Sequence, residues 1–433
     1  MSLEMMGIAL IVLLLVLLAL GLEIAWAIGI TAAIGMVFVI DEPINQLAWE
    51  TWGSVNSFTL LAAPLFVLMG SILSNTGISE YLFDGVNKWI GRAPGGLAAS
   101  VIGGSAIFGA MCGSSMASAA TFGKIAFPSM ENRGYDPKLA LGSICTGGIL
   151  SPLIPPSILL IIFGSWQRVS IVKLFAGAIV PGVILTVLLI LYIVIRVKIN
   201  PGLAPAPEKY SWKERFLSLG RIAPLLLIIV GTLGVIFGGI MTASEAGSMG
   251  AFLSIVVALG YRQLSWSILM KSLLDTVRVT AFAFFIMAMA IALTHVFTVL
   301  GIITPLSDTV VNLPIGKWSI FVLLLVMYFI LGMFFDSWSM LFLTFPFVMP
   351  VILALGFNPI WWAIVYLLAA EQGAVTPPFG LNLFVLSSVV PNHSMGTIAR
   401  GSLPYLIPVY VNILLLALFP ELVLWLPGLL SAR

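Results

Sequence analysis

The sequence predicts an all-α polytopic membrane protein made of inverted repeats, with two re-entrant helical hairpins and two broken transmembrane helices. Three observations predict it. Hydrophobic residues make up 61% of the chain and charged residues 8%, and apolar stretches of about twenty residues, a bilayer-crossing length, recur from end to end. Residue n answers to residue n+222: Pro128 falls on Pro350, Gly134 on Gly356, Pro137 on Pro359, Pro155 on Pro377 and Pro156 on Pro378. Both halves are thus interrupted by Gly and Pro at equal offset, which in a membrane chain points to a secondary transporter with its site at the interruptions.

The elements follow in order. Apolar spans are expected at 6–27, 29–44, 57–76, 138–165, 172–198, 222–240, 243–260, 279–300, 358–389 and 401–425. The N-terminus ends its first run in Ala25-Trp26-Ala27 but carries Glu4 in place of a basic start, so it reads as a span and not a leader. Stretches 96–130 and 317–352 are too long for one crossing and carry small or polar residues at their middle, with Pro beyond. They read as hairpins whose tips face protein or a water-filled cavity, because irregular backbone is too costly against lipid. Segments 78–92 and 302–313 mix polar and apolar residues as arms lying flat would.

The halves are 1–198, holding hairpin 96–130 and broken helix 138–165, and 222–433, holding hairpin 317–352 and broken helix 358–389. A cytoplasmic link with Pro201, Pro205 and Pro207 joins them over 199–221. Of the 19 Lys and Arg, fourteen fall in 76–95, 131–138, 196–221, 261–278 and 390–400, and only Arg168, Lys173, Lys317 and Arg433 on the other face. By the positive-inside rule both termini are then outside, and the two hairpins open to opposite sides.

The chemistry concentrates at the breaks. The first tip reads Gly109-Ala-Met-Cys-Gly113-Ser114-Ser115-Met-Ala-Ser118-Ala-Ala-Thr121. Its hydroxyls and freed carbonyls are hard oxygen donors suited to Na+, although small residues also make packing seams. The offset sets Asp336 on Ser114 and Ser337 on Ser115. A carboxylate inside an apolar stretch costs several kcal/mol unless paired or bound to a cation. The breaks beside the tips run Gly147-Gly148-Ile-Leu-Ser151-Pro-Leu-Ile-Pro155-Pro156-Ser157 and Glu371-Gln372-Gly373-Ala-Val-Thr376-Pro377-Pro378-Phe-Gly380-Leu-Asn382. Consecutive prolines release carbonyls from the helix ladder and offer them to a ligand. Thr242-Ala-Ser-Glu245 is a capping box, so Glu245 reads as structural. Glu23, Glu371 and Lys124 lie in or near spans, Glu371 evenly balanced between structure and function. Arg168, at the outer edge of the broken fourth span, could meet an anionic solute or sit at the interface.

Other classes find little support. Net charge of +2 suggests no nucleic acid, and Cys112 and Cys145 read as packed thiols. His295 and His393 lack a partner pattern, and no phosphate loop or nucleophile elbow appears. An enzyme would need a paired nucleophile and base within the spans.

The strings Ala106-Ile-Phe-Gly-Ala-Met-Cys-Gly-Ser-Ser-Met-Ala-Ser-Ala-Ala-Thr121, Ile154-Pro-Pro-Ser157, Thr242-Ala-Ser-Glu-Ala246 and Thr376-Pro-Pro-Phe-Gly380 resemble the large membrane subunit (M subunit, DctM-like) of tripartite ATP-independent periplasmic (TRAP) transporters. The resemblance implies a Na+-driven elevator carrier in the bacterial inner membrane. It would work with a small four-helix membrane subunit and a periplasmic solute-binding protein and import an organic anion: a carboxylate, a sialic-acid-type acid or a sulfonate. It implies two Na+ sites, one at Ser114, Ser115 and Ser157 and one at Asp336, Ser337 and Thr376, with Gly113, Gly148, Pro155 and Gly373 beside them. Ser118, Thr121, Asn382 and Arg168 are the candidates for the anion. A stand-alone ion-coupled dicarboxylate carrier is the alternative.

Overall fold

The computed structural model describes residues 3–431, so Arg433 of the charge count lies outside them. All regular structure among the described residues is helical, and seven helices are long and apolar enough to cross a membrane. The first half runs α1 (Leu3–Ala19), α2 (Ile24–Phe38), α3 (Asn45–Val55) and α4 (Ala62–Asn75), the last extended backward by a 3-10 turn over Phe58–Leu61. It continues with α5 (Ile78–Ile90), α6 (Gly96–Cys112), α7 (Ser115–Asn132), α8 (Pro137–Gly147), α9 (Ile158–Gln167) and α10 (Ile171–Ile199). The second half holds α11 (Trp212–Phe237), α12 (Ala243–Gly260), α13 (Trp266–Val299), α14 (Ile303–Val311), α15 (Lys317–Gly332) and α16 (Ser337–Ala354). It ends with α17 (Pro359–Ala374), α18 (Leu381–Val389), α19 (Met395–Ser402), α20 (Leu406–Leu418) and α21 (Glu421–Ser431). The pairs α6–α7 and α15–α16 are helical hairpins, and α8–α9 and α17–α18 are interrupted helices.

The 222-residue offset reappears as matching local backbone. Ser114 and Asp336 are the N-caps of α7 and α16. Asp136 and Asn358 cap α8 and α17, accepting from the N–H of Leu139 at 3.0 Å and of Ile360 at 2.8 Å, each followed by Pro in the first turn. Gly134 and Gly356 take φ of 77° and 75°, a left-handed conformation open to glycine. Pro155-Pro156 and Pro377-Pro378 are both cis.

Four expectations need correction. Helix α11 begins at Trp212, inside the expected link, because Ser211 and Glu214 form a second capping box with bonds of 2.7 and 3.3 Å. Helix α13 begins at Trp266, where Ser265 caps it, and its first turns carry Lys271, Asp275 and Arg278, which hide it from an apolar scan. The span expected over 401–425 divides after Leu418, since Pro420 has no N–H to give the ladder. The short α3 has no apolar run to announce it. His295 does have a partner: its Nε2 lies 2.9 Å from a Glu42 carboxyl oxygen.

The link itself is clamped to the first half. Asn87 donates to the Tyr210 hydroxyl at 2.9 Å, and Arg92 donates to the Tyr210 carbonyl at 2.9 Å. Tyr210 and Arg133 both donate to Glu208. The Tyr210 hydrogen bond first, and then Arg133, hold the Glu208 carboxyl below its ordinary 4.5. A lowered folded pKa means the clamp is present above that value and lost as pH falls below it. Linker 200–211 should therefore resist limited proteolysis at neutral pH and become cleavable only as the pH drops well below 4.5. Glu208→Gln should be cleaved at neutral pH already.

Close backbone approach fixes the hairpins to the breaks. A Cβ on Gly373 of α17 would sit 2.2 Å from the carbonyl carbon of Gly332 in α15. One on Gly109 of α6 would sit 2.5 Å from the Ser151 Cα. Backbone cannot yield as a side chain can, so Gly373→Ala should cost more than the usual ~1–3 kcal/mol of overpacking. Gly231, in α11 with nothing near its Cβ position, is the contrast, and Gly231→Ala should hold or raise the melting temperature of the purified protein.

Candidate functional site

Each hairpin tip is a helix end turned toward a helix break. At the first, Gly113 takes φ of 60° and closes α6 by donating its N–H to the Gly109 carbonyl at 2.8 Å. Ser114 then caps α7, accepting from the Ala117 N–H at 3.3 Å. At the second, Asp336 caps α16, accepting from the N–H of Trp338 at 3.1 Å and of Ser339 at 3.4 Å, and from the Ser339 hydroxyl. The carbonyl of Met333 receives the N–H groups of Phe379 and Gly380 at 3.3 and 3.4 Å, which ties this tip to the Thr-Pro-Pro break.

The two tips meet at one buried carboxyl. Ser337 donates to Glu371 Oε1 at 2.5 Å, and Glu371 also faces the Ser115 hydroxyl of the first tip. Tyr366 donates to the Ser337 carbonyl at 2.5 Å, which fixes that turn from below. Between the tips is a recess of about 30 Å³ lined by Ser115, Ser337, Glu371 and Pro152, room for one small ion or a water. Glu371 Oε2, Gln372 Oε1, Asn382 Oδ1 and the hydroxyls of Ser118 and Ser151 are buried without a hydrogen-bond partner. Buried polar atoms in native proteins are nearly always satisfied, and of these residues Glu371 is the one that lines the recess.

The remaining sequence candidates divide. Gly148 joins the two breaks, because a Cβ there would lie 2.6 Å from the Ser115 carbonyl and 3.0 Å from Asn382 Nδ2. Asn382 donates to the Cys145 carbonyl at 3.3 Å and is fully buried. Ser157 caps α9 just after Pro155, accepting from Leu160 at 3.4 Å, and Thr376 donates to the Gln372 carbonyl at 2.8 Å. Gly373 serves the contact with Gly332. Ser118 is fully enclosed and Thr121 is half-buried one turn along α7. Arg168 ends α9 exposed.

Beside the tips lies a larger cavity of about 640 Å³. Ser114, Asp336 and Trp338 line it from the tips, Ser71 and Asn75 from α4, and Asp275 and Arg278 from α13. Ser118, Thr121, Asn382 and Arg168, the sequence candidates for the anion, do not line it. Thr121 and Arg168 have no place there because α7 carries Thr121 two turns from the tip and α9 ends at Arg168. Among the described residues no three His, Cys, Asp or Glu side chains gather as a metal site.

A family model described as the tripartite ATP-independent periplasmic transporter, DctM component, matches residues 11–422. The chain belongs to this family. It is 32% identical to the C4-dicarboxylate TRAP transporter large permease protein DctM of Pseudomonas aeruginosa, with 94% of each chain covered. It is 29% identical to the sialic acid TRAP transporter permease protein SiaT of Haemophilus influenzae, over 96% of this chain and 67% of that one. Among solved structures, the Alcanivorax borkumensis YdaH transporter aligns with a TM-score of 0.58 at 15% identity, covering 87% of this chain and 88% of that one. That last likeness is one of fold.

The DctM-family chain therefore presents two oxygen-rich tips, a buried Glu371 that pattern reading left balanced, and a cavity wall on α13 that it missed. Asp336 is both a helix cap and an ionisable acid, and substitution separates the two. Asn caps as well as Asp, so Asp336→Asn should melt within about 0.5 kcal/mol of the parent in detergent. Asp336→Ala should lose about 1 kcal/mol with the bonds to Trp338 and Ser339.

Proposed function

We propose that this chain is the transmembrane carrier subunit of a Na+-coupled TRAP transporter of the bacterial inner membrane. It imports a small organic anion, a carboxylate or sulfonate, which a periplasmic solute-binding protein delivers, and it works beside a small four-helix membrane subunit. Membership of the DctM family supports the carrier role. The observation that carries the Na+ reading is the meeting of both tips at Glu371, among oxygens that lack hydrogen-bond partners.

Two cation sites fit this donor set. The first draws on Ser114, Ser115 and the Ile-Pro-Pro-Ser break with Gly148 and Ser157. The second draws on Asp336, Ser337 and the Thr-Pro-Pro break. Oxygen donors of this kind hold hard, redox-inert cations. Ions bound there neutralise Asp336 and draw the tips onto the breaks, so binding and tip closure become one event.

The two halves act as inverted repeats, with both termini periplasmic and the hairpins re-entering from opposite sides. Hairpins and broken helices travel together as an elevator. The long helix α10 and the segments α19 to α21 stay with the static frame, which the small subunit braces. Relatives named for C4-dicarboxylates and sialic acid support an organic acid as the cargo.

The test is uptake by the complete assembly in proteoliposomes, with succinate, N-acetylneuraminate and isethionate as trial anions. Uptake should need an inward Na+ gradient. Asp336→Asn, which keeps the cap, should lower it about tenfold or more, the equivalent of at least 1.4 kcal/mol of lost cation binding. Unchanged Na+ dependence in that variant would show that Asp336 holds no ion.

A further inference from the structure

The wall of the large cavity opposite the hairpin tips belongs to α4 and α13, and its chemistry is unlike that of the tips. Arg278 is the one basic side chain that lines the cavity. It makes no ion pair within 4.0 Å among the described residues. The nearest acid along the helix, Asp275, is already engaged: its Oδ2 accepts from Asn75 at 3.1 Å, and Asn75 also donates to Ser272 at 3.2 Å. A guanidinium is thus left uncommitted beside Val67, Val279 and Phe282, at the edge of a space of about 640 Å³. That volume lies within the range of small-molecule sites.

We propose that Arg278 is the subsite for the anionic headgroup of the transported organic acid, offered by the frame and not by the hairpins. This rests on the transport reading above. The planar guanidinium fork takes a carboxylate or a sulfonate through two parallel N–H donors. The cavity then has an anion end at Arg278 and a cation end at Asp336, the polarity that an anion travelling with Na+ requires. Ser71 faces the same space and supplies a hydroxyl donor to the body of the solute, and Asn75 its amide oxygen as an acceptor. A headgroup held by the frame meets Arg278 only when the tips stand level with it, so the contact belongs to one end of the transport stroke.

Two measurements on the complete assembly test this. In proteoliposomes, Arg278→Gln should raise the KM for whichever of succinate, N-acetylneuraminate or isethionate the parent takes up by about tenfold or more, leaving the Na+ requirement as it was. Arg278→Lys, which keeps charge but loses the fork, should fall between. In nanodiscs, phenylglyoxal should modify Arg278 of the parent protein, as read by mass spectrometry, and a saturating trial anion should slow it where glycerol does not. An unaltered KM in Arg278→Gln, or modification at the same rate with every anion present, overturns the subsite. Failure of the parent to take up any anion under a Na+ gradient would instead sink the transport reading, and the protection experiment would still decide Arg278.

Discussion

Ser337 donates to the buried carboxyl of Glu371 at 2.5 Å, and the two hairpins and two broken helices are arranged around that contact. Interrupting a helix in an apolar medium strands N–H and carbonyl groups, and each stranded group costs free energy of the order of a lost hydrogen bond. The fold meets that cost by aiming each interruption at another. The Met333 carbonyl takes two N–H groups from the Thr-Pro-Pro break. Gly148 lets the Ser115 carbonyl and Asn382 come together from opposite halves. Oxygens remain over, and their surplus is what a cation can use.

Glycine makes this economy mechanical. Gly332 and Gly373 bring α15 and α17 backbone to backbone, and Gly109 does the same against Ser151 in the first half. A hairpin held at that separation cannot slide on its broken helix without a clash, so the pair behaves as one body. Gly70 of α4 approaches the first tip as closely, with its Cβ position 2.5 Å from the Met111 carbonyl, but there the partner helix belongs to a different group. In the elevator reading, the close contacts within each half travel, and those at Gly70 against the first tip and between Gly142 of α8 and Gly401 of α19 must open.

Much of this was legible in the sequence, for physical reasons. Breakers act locally, so Pro137, Pro359 and the two Pro-Pro pairs announce their positions without knowledge of the fold. Hydroxyl and carboxyl residues at the tips stand out against an apolar background, which is how Ser114, Ser115, Asp336 and Ser337 are found. Contacts between distant segments leave no such trace. Nothing near Glu371 in sequence says that Ser115, some 256 positions earlier, will face it. Arg278 counts in the sequence as one more cytoplasmic cation, and only the fold turns α13 so that it lines the cavity. Arg168 shows the converse. Its position beside a broken span suggests a site, but the helix it ends leaves it exposed and outside the cavity lining.

Na+ binding where the two tips meet, the reading proposed above, carries a thermodynamic signature. Melting of the purified protein in NaCl against choline chloride at equal ionic strength measures this most directly, since a ligand held only by the folded state stabilises it by RT ln(1 + [L]/Kd). The parent should gain about 2.7 kcal/mol per site at a Na+ concentration a hundred times its Kd, and Asp336→Asn with Glu371→Gln should gain markedly less, because only the serine-lined first site is left. Equal melting in both salts for the parent, or an undiminished gain in the double variant, would contradict it.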